Sequence, residues 1–210
     1  MDEKRCIIDL REMGDRYQLE LVDVVRDGKV IMRDHAWTAE ALRKAVEECK
    51  ERAAGAEVVE LRGHVPNWAV SAMAYAVKPA ICHFEIGPGG IYKMDAHPFE
   101  VTTKEATCGM FFTVLEDEDG IYVQGQTDSP HADAHGFDLS KYEEITMPPI
   151  ASGKNVYLSG ETVNPIAVSM VLTYADSANA VFIRFHEEPN YVCCVTHDES
   201  IVIGAEKPVK

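Results

Sequence analysis

Residues 58–68 read Val-Val-Glu-Leu-Arg-Gly-His-Val-Pro-Asn-Trp, and this stretch decides the fold class. Its apolar, β-branched beginning predicts a strand. Gly63 and Pro66 then interrupt the pattern. From Trp68 onward, apolar residues predict a helix that Pro79 closes. The stretch therefore predicts a strand, a turn and a helix in series, which is the element order of an α/β fold.

The same order recurs in the second half of the chain. Residues 156–160, Val-Tyr-Leu-Ser-Gly, match residues 59–63, and residues 165–169, Pro-Ile-Ala-Val-Ser, are similar to residues 66–71. The offset between matched positions lies between about 97 and 101, which is typical of a tandem duplication with small insertions. The alternative is chance similarity between two strand-turn-helix-strand units.

The repeat predicts how the α/β fold is divided. We expect two similar lobes, residues 1–97 and residues 98–210, each with a mixed sheet and one or two helices. A duplicated unit packs as a pseudo-dimer, and such a pair encloses one shared cleft.

Composition and charge exclude several classes of protein. Of the 210 residues, 46% are hydrophobic and 26% are charged, which excludes a disordered chain. No apolar run approaches the roughly 20 residues of a membrane helix, and residues 1–5 do not open a signal peptide. The six cysteines form no Cys-x-x-Cys pair, which argues against a structural zinc site and favours a reducing compartment. We therefore expect a cytoplasmic protein.

The formal net charge of −15 is unevenly distributed. Residues 1–98 carry 14 basic and 17 acidic side chains, whereas residues 99–210 carry 6 basic and 18 acidic ones. Affinity for long nucleic acids depends on Lys and Arg contacts to phosphates, so binding of a long duplex is not expected. A small anionic ligand in a local pocket remains compatible with this charge.

An ordered series of short motifs resembles a known family. It comprises residues 61–68 in the first half, and residues 137–148, 154–160, 191–197 and 201–204 in the second. The series is similar to that of the small CRISPR-associated ring nucleases, accessories of type III systems, whose strand ending Ser-Gly-Arg-x-Pro-x-Trp-Leu precedes a helix. That resemblance covers nearly the whole chain and implies the fold of that family.

The resemblance also implies an activity, a cofactor and site residues. Ring nucleases degrade cyclic tetra-adenylate with the help of manganese, so it implies a cyclic oligoadenylate or short RNA as ligand and Mn or another divalent metal as cofactor. In the pattern of the family, an aspartate precedes an apolar hairpin strand and a histidine follows it. The histidine matches His97 and His197, and the aspartate falls on Glu85 and His186. These four residues are the candidate catalytic residues, as metal ligands or general bases.

One turn precedes the helix predicted from Trp68, and the other precedes the similar segment that starts at residue 165. Both turns are candidate ligand-binding sites, formed by Arg62, Gly63, His64, Trp68 and Gly160. Backbone N–H groups at a helix N-terminus bind phosphate, Arg62 and His64 add donors, and Trp68 could stack on adenine. In the second turn Glu161 opposes an anion, so we expect phosphate at the first turn. Alternatively, the glycines only shape the turns and Trp68 fills the core.

A separate candidate metal site lies in the loop that contains His131, Asp133 and His135. In an extended segment these three alternate residues point to one side, and imidazole with carboxylate suits Zn, Mn, Fe or Ni. The alternative is a solvated loop.

Three functions follow from these observations. The first is a ring nuclease that binds and cleaves a cyclic oligoadenylate. The second is a catalytically inactive binding or scaffold protein of a CRISPR defence system, whose acidity would suit an effector with a basic surface. The third is an unrelated metal-dependent hydrolase that uses the loop of His131. All three leave open whether the chain forms a homodimer.

Overall fold

Two mixed sheets enclose a layer of helices in the computed structural model, which describes residues 4–26, 29–86, 90, 92–104, 108–127, 138–160, 162–184 and 189–209. The elements are, in chain order, β1 (Arg5–Asp9), α1 (Leu10–Arg16), β2 (Leu21–Arg26), β3 (Lys29–His35), α2 (Ala39–Arg52), β4 (Val58–Arg62), α3 (Asn67–Ala76), β5 (Ile81–Ile86), β6 (Tyr92–Ala96), β7 (Glu100–Val101), β8 (Met110–Glu116), β9 (Ile121–Thr127), a 3-10 helix (Leu139–Glu144), β10 (Thr146–Met147), β11 (Asn155–Ser159), α4 (Asn164–Ala175), β12 (Ala180–Arg184), β13 (Asn190–Thr196) and β14 (Glu206–Pro208). The predicted α/β class is confirmed.

The two large sheets share one strand order. The first has the order β1-β4-β5-β6, in which β1, β4 and β5 are parallel and β6 is antiparallel to β5. The second contains the series β9-β11-β12-β13 with the same directions, and β8 and β14 extend it at its edges. Strands β2 and β3 form a separate antiparallel ribbon, and β7 pairs with β10.

Helices α3 and α4 lie between the two sheets and pack against each other. Helix α3 also contacts β12 and β13, and α4 contacts β6, so each helix packs on at least one strand of the other half. Residues 68–74 of α3 are all buried, as expected for a helix that is apolar on every side. One continuous core therefore spans both halves. The division into two lobes at residue 97 stays a prediction.

Helix α2 shows the contrasting pattern of a helix with one solvated side. Its N-terminus is capped as its sequence predicts, because the Thr38 hydroxyl accepts a hydrogen bond from the Ala41 N–H at 3.2 Å. One stripe faces the core, formed by Ala41, Leu42, Ala45, Val46 and Cys49. The opposite side carries charged residues, including the Glu40–Lys44 pair.

The N-terminal segment differs from its predicted structure. The pattern of residues 7–10 predicts a strand, but β1 ends at Asp9 and α1 begins at Leu10. The Asp9 carboxylate accepts hydrogen bonds from the N–H groups of Arg11 and Glu12, at 2.9 and 3.0 Å, and so caps this helix. The local cap therefore overrides the apolar pattern.

Two findings bear on the environment of the protein. Among the described residues, no helix is both long and apolar enough to span a membrane. All six cysteines are free thiols, and burial raises the pKa of Cys49, Cys82 and Cys193 to about 12. These three thiols stay protonated at neutral pH and act as small apolar core residues.

The ring of His35 lies so close to Gly14 that no side chain fits at position 14. A Cβ atom at Gly14 would lie 2.5 Å from His35 Cγ, and His35 is itself buried. We expect Gly14→Ala to lower the free energy of unfolding by about 2 kcal/mol, although alanine is the better helix former. Urea unfolding measures the change. In a His35→Ala background the same substitution should cost nothing, and an equal cost in both backgrounds would contradict this explanation.

Candidate functional site

The candidate functional site lies where two strand-to-helix turns meet. Strand β4 leads through Gly63 into α3, and β11 leads through Gly160 into α4. The Asn67 side-chain N–H donates a hydrogen bond of 3.2 Å to the carbonyl oxygen of Thr162, which links the turns. In α/β sheets, ligands bind beyond the carboxyl ends of the parallel strands, and these turns occupy that position in each sheet.

Both turns depend on glycine. Gly63 has a φ of +100° and Gly160 a φ of +142°, which lie in the region that favours glycine. A Cβ atom at Gly160 would also lie 2.7 Å from the carbonyl oxygen of Gly125 in β9. The chain can therefore turn sharply from strand into helix and keep the backbone close to neighbouring strands.

The helices that follow these turns begin without a side-chain cap. Pro66 precedes α3 and Val163 precedes α4, and neither residue can accept a hydrogen bond through its side chain. The first N–H groups of a helix lack partners inside the helix and lie at its positive end. Two helix N-termini without a side-chain cap thus lie on either side of the Asn67–Thr162 contact. That of α3 suits an anion better, because Pro165 in the first turn of α4 has no N–H to donate.

Two buried polar atoms at this junction have no hydrogen-bond partner among the residues that the structure describes. They are the side-chain oxygen of Asn67 and the hydroxyl of Thr162, whose residue is only 9% exposed. Leaving such a group unsatisfied costs about 1–3 kcal/mol, and most buried polar groups are paired. In donor and acceptor type, the hydroxyl matches a phosphate oxygen, and the amide oxygen matches a ribose hydroxyl or an adenine amino group. Both atoms are buried from solvent, so the two turns must move apart before a ligand can contact either one.

Arg62 and Glu85 are engaged in ion pairs on the first sheet. The guanidinium of Arg62 donates to the buried carboxylate of Glu60, and this hydrogen bond raises the pKa of Arg62. The carboxylate of Glu85 lies 3.0 Å from Lys93 Nζ, and the hydrogen bond to Lys93 lowers the pKa of Glu85. Glu85 therefore lies at the same sheet edge as the turn but is neutralised there.

Trp68 belongs to the core. It is 9% exposed and packs within the continuous apolar cluster. The predicted stacking of Trp68 on a base is therefore not supported by its position in this conformation.

His64 is held by a buried carboxylate. Its Nδ1 atom lies 2.8 Å from Asp34 Oδ2, and its side chain is 56% exposed. Asp34, at 8% exposure, also accepts a hydrogen bond of 2.8 Å from the His35 N–H through Oδ1. Sequence reasoning proposed His64 as a phosphate donor but missed Asp34, because nothing in the chain links a residue of β3 to this turn.

The two late histidines lie at the opposite edge of the sheets. Ala96, before His97, pairs with Cys82 at the start of β5, and Thr196, before His197, pairs with Ala180 at the start of β12. The turns follow the other ends of the parallel strands. The structure therefore does not bring these candidate catalytic histidines together with the turns, which are the candidate ligand-binding sites.

The ring nitrogens of these histidines are also engaged. His97 Nε2 lies 3.0 Å from Glu143 Oε2, and its Nδ1 lies 3.1 Å from the carbonyl oxygen of Pro98. His197 Nε2 lies 2.8 Å from the carbonyl oxygen of Ala175, at the end of α4. The contact of His97 links the end of β6 to the 3-10 helix, and the contact of His197 links the end of β13 to α4.

The remaining predicted site residues lie outside the described residues: His131, Asp133, His135 and His186. Within the described part of the chain, no three His, Cys, Asp or Glu side chains form a group that could hold a metal ion. Manganese or another divalent metal as cofactor stays a prediction.

No protein-family model matches the chain, and no curated protein matches it either. The candidate site must therefore be argued from its own geometry. One sequence signal marks the candidate site: α3 begins at Asn67 and α4 begins at Asn164, so an asparagine starts both helices.

The unpaired hydroxyl of Thr162 predicts an unusual effect on stability. We expect Thr162→Val to raise the free energy of unfolding by about 1 kcal/mol, because it removes a buried group without a partner. Thr173→Val is the matched control, since the Thr173 hydroxyl accepts from the Phe99 N–H at 2.9 Å and donates to the Ser169 carbonyl at 2.7 Å. Urea unfolding should show a loss for the control. An equal loss for Thr162→Val would contradict the assignment.

Proposed function

We propose that the protein binds a cyclic oligoadenylate, or a short RNA of the same chemistry, at the junction of its two turns. The observation that carries the proposal is the Asn67–Thr162 junction. It joins two helix N-termini without side-chain caps and holds two buried oxygens that have no partner within the described part of the chain. The resemblance to CRISPR-associated ring nucleases supplies the ligand class.

The charge of the protein supports a small ligand held by backbone donors. At a net charge of −15 the chain repels long polyanions. Each helix N-terminus carries about half a positive charge, and its N–H groups donate to phosphate at short range. The phosphate belongs at the first turn, and Thr162 of the second turn adds a hydroxyl donor. A ring of repeated nucleotides can reach both turns at once.

Binding without turnover is the second candidate function. It is favoured by the engagement of His97 with Glu143 and of His197 with the Ala175 carbonyl, since these residues were the predicted bases. In that case the protein sequesters the ligand or passes its signal to a CRISPR effector. A cytoplasmic location suits both candidates and agrees with six free thiols.

Calorimetry with cyclic tetra-adenylate tests the proposal. We expect one ligand per chain, because the two turns form one site. Asn67→Ala and Thr162→Val should each weaken binding at least tenfold, since each removes a polar atom from the junction.

Ser71→Ala is the matched control for these variants. It removes another buried hydroxyl without a partner, but one that lies inside α3, so binding should change less than twofold. Absence of binding to the unaltered protein would refute the proposed function. Equal binding by Asn67→Ala and the unaltered protein would move the site elsewhere.

A further inference from the structure

The Asp34–His64 pair has the geometry of an acid–base dyad. We infer that His64 is the general base that cleaves the bound phosphodiester, and that Asp34 positions its ring; this inference rests on the proposed function. His64 lies in the turn between β4 and α3, three residues before Asn67. It therefore belongs to the turn at which the phosphate is proposed to bind.

Asp34 selects one tautomer of His64. A carboxylate only accepts hydrogen bonds, so the short contact of 2.8 Å requires a proton on Nδ1 of His64. The lone pair of the neutral ring is then on Nε2, and among the described residues Nε2 has no hydrogen-bond partner. A ring held in this way can accept a proton from a substrate hydroxyl.

The carboxylate is itself held rigidly. Asp34 is buried, and its second oxygen accepts the His35 N–H at 2.8 Å. The His35 ring packs on Gly14 of α1, and its Nε2 lies 3.0 Å from Asp15 Oδ1. The end of β3 is thereby fixed to α1, which follows β1 directly. This arrangement sets the position of the His64 ring before any ligand binds.

Other described histidines lack this combination of features. His83 pairs with Asp95 at 2.7 Å, but only 11% of its side chain is exposed. His35 is buried. His97 and His197 use their ring nitrogens in contacts far from the turns. Within the described ranges, an exposed ring backed by a buried carboxylate occurs at His64.

The chemistry is a transesterification within the ligand. The ribose 2′-oxygen attacks the adjacent phosphorus, and its proton moves to Nε2 of His64 as the new P–O bond forms. The bond from phosphorus to the 5′-oxygen then breaks, and the leaving oxygen takes a proton from water. His64 returns its proton to solvent. The products are a 2′,3′-cyclic phosphate and a 5′-hydroxyl, and nothing is oxidised or reduced.

The helix N-terminus contributes to the same step. Negative charge increases on the phosphoryl oxygens in the transition state, and the free N–H groups at the start of α3 can stabilise it. The step therefore needs the turn, the uncapped helix and His64, and it routes no proton through a metal ion.

The test incubates the full chain with cyclic tetra-adenylate in EDTA, and separately with Mn²⁺, and follows products by chromatography and binding by calorimetry. We expect linear product with a 2′,3′-cyclic phosphate in EDTA. His64→Gln, which can still donate to Asp34, should bind within threefold of the unaltered protein but cleave at least 100-fold more slowly. His83→Gln is the matched control, because His83 also pairs with an aspartate but lies outside the proposed site, and this variant should cleave at the normal rate.

Asp34→Asn tests positioning. The asparagine amide donates to Nδ1 and forces the proton onto Nε2, so kcat should fall at least tenfold with KM nearly unchanged. Nitrogen NMR should show His64 protonated at Nδ1 in the unaltered protein and at Nε2 in the variant. A merely structural role would leave this tautomer signal unmoved and would change unfolding instead.

Three outcomes contradict the inference, and they can be told apart. Binding without metal-free cleavage refutes the role of His64 and leaves the proposed function standing. Metal-free cleavage at an unchanged rate in the His64→Gln variant also refutes the role of His64 and leaves the proposed function standing. Absence of binding to the unaltered protein refutes the proposed function, and the inference is refuted with it.

Discussion

The packing of α3 against α4 is the contact on which the rest of the structure depends. Both helices are buried on nearly every side, so neither could be solvated alone, and each contacts strands from the other half of the chain. Polar contacts fix the pair at its two ends. Asn67 reaches the Thr162 carbonyl at one end, and Lys78 Nζ lies 2.7 Å from Asp176 Oδ2 at the other. The relative position of the two turns is therefore set by the core.

This dependence explains how an acidic protein can offer an anion site. The side-chain cation predicted for the first turn, Arg62, is engaged by Glu60. The remaining positive potential comes from backbone N–H groups, which need no free lysine or arginine. Because these donors belong to buried helices, they are rigid and cost no reordering when a ligand binds. The affinity for an anion would therefore come from the backbone N–H groups that the fold holds in place.

Much of the fold follows from the sequence, because the relevant signals are local. The apolar run after Trp68, the glycines at positions 63 and 160, and the Thr38 cap each act over a few residues, and the helices and turns they predict are present. Helix α1 could not be predicted from the sequence, because the apolar pattern of residues 7–10 is typical of a strand and hides the N-cap at Asp9.

The site was harder to predict, because it depends on contacts between distant residues. His97 and His197 are similarly placed in the two repeats, but only strand direction shows that they lie at the edge opposite the turns. Asp34 contacts His64 across 30 positions of sequence, and Thr162 stands out only because its buried hydroxyl has no partner among the described residues. Spacing within the chain carries no signal for either contact.

The central claim is that the two turns form one ligand site because α3 and α4 pack together. A crystal structure of the protein with cyclic tetra-adenylate tests it most directly. The account predicts a phosphate within hydrogen-bond distance of the first N–H groups of α3, with the Thr162 hydroxyl and the Asn67 oxygen in contact with the same ligand molecule. A ligand bound at the opposite sheet edge, beside His97 or His197, with both turns empty, would contradict it.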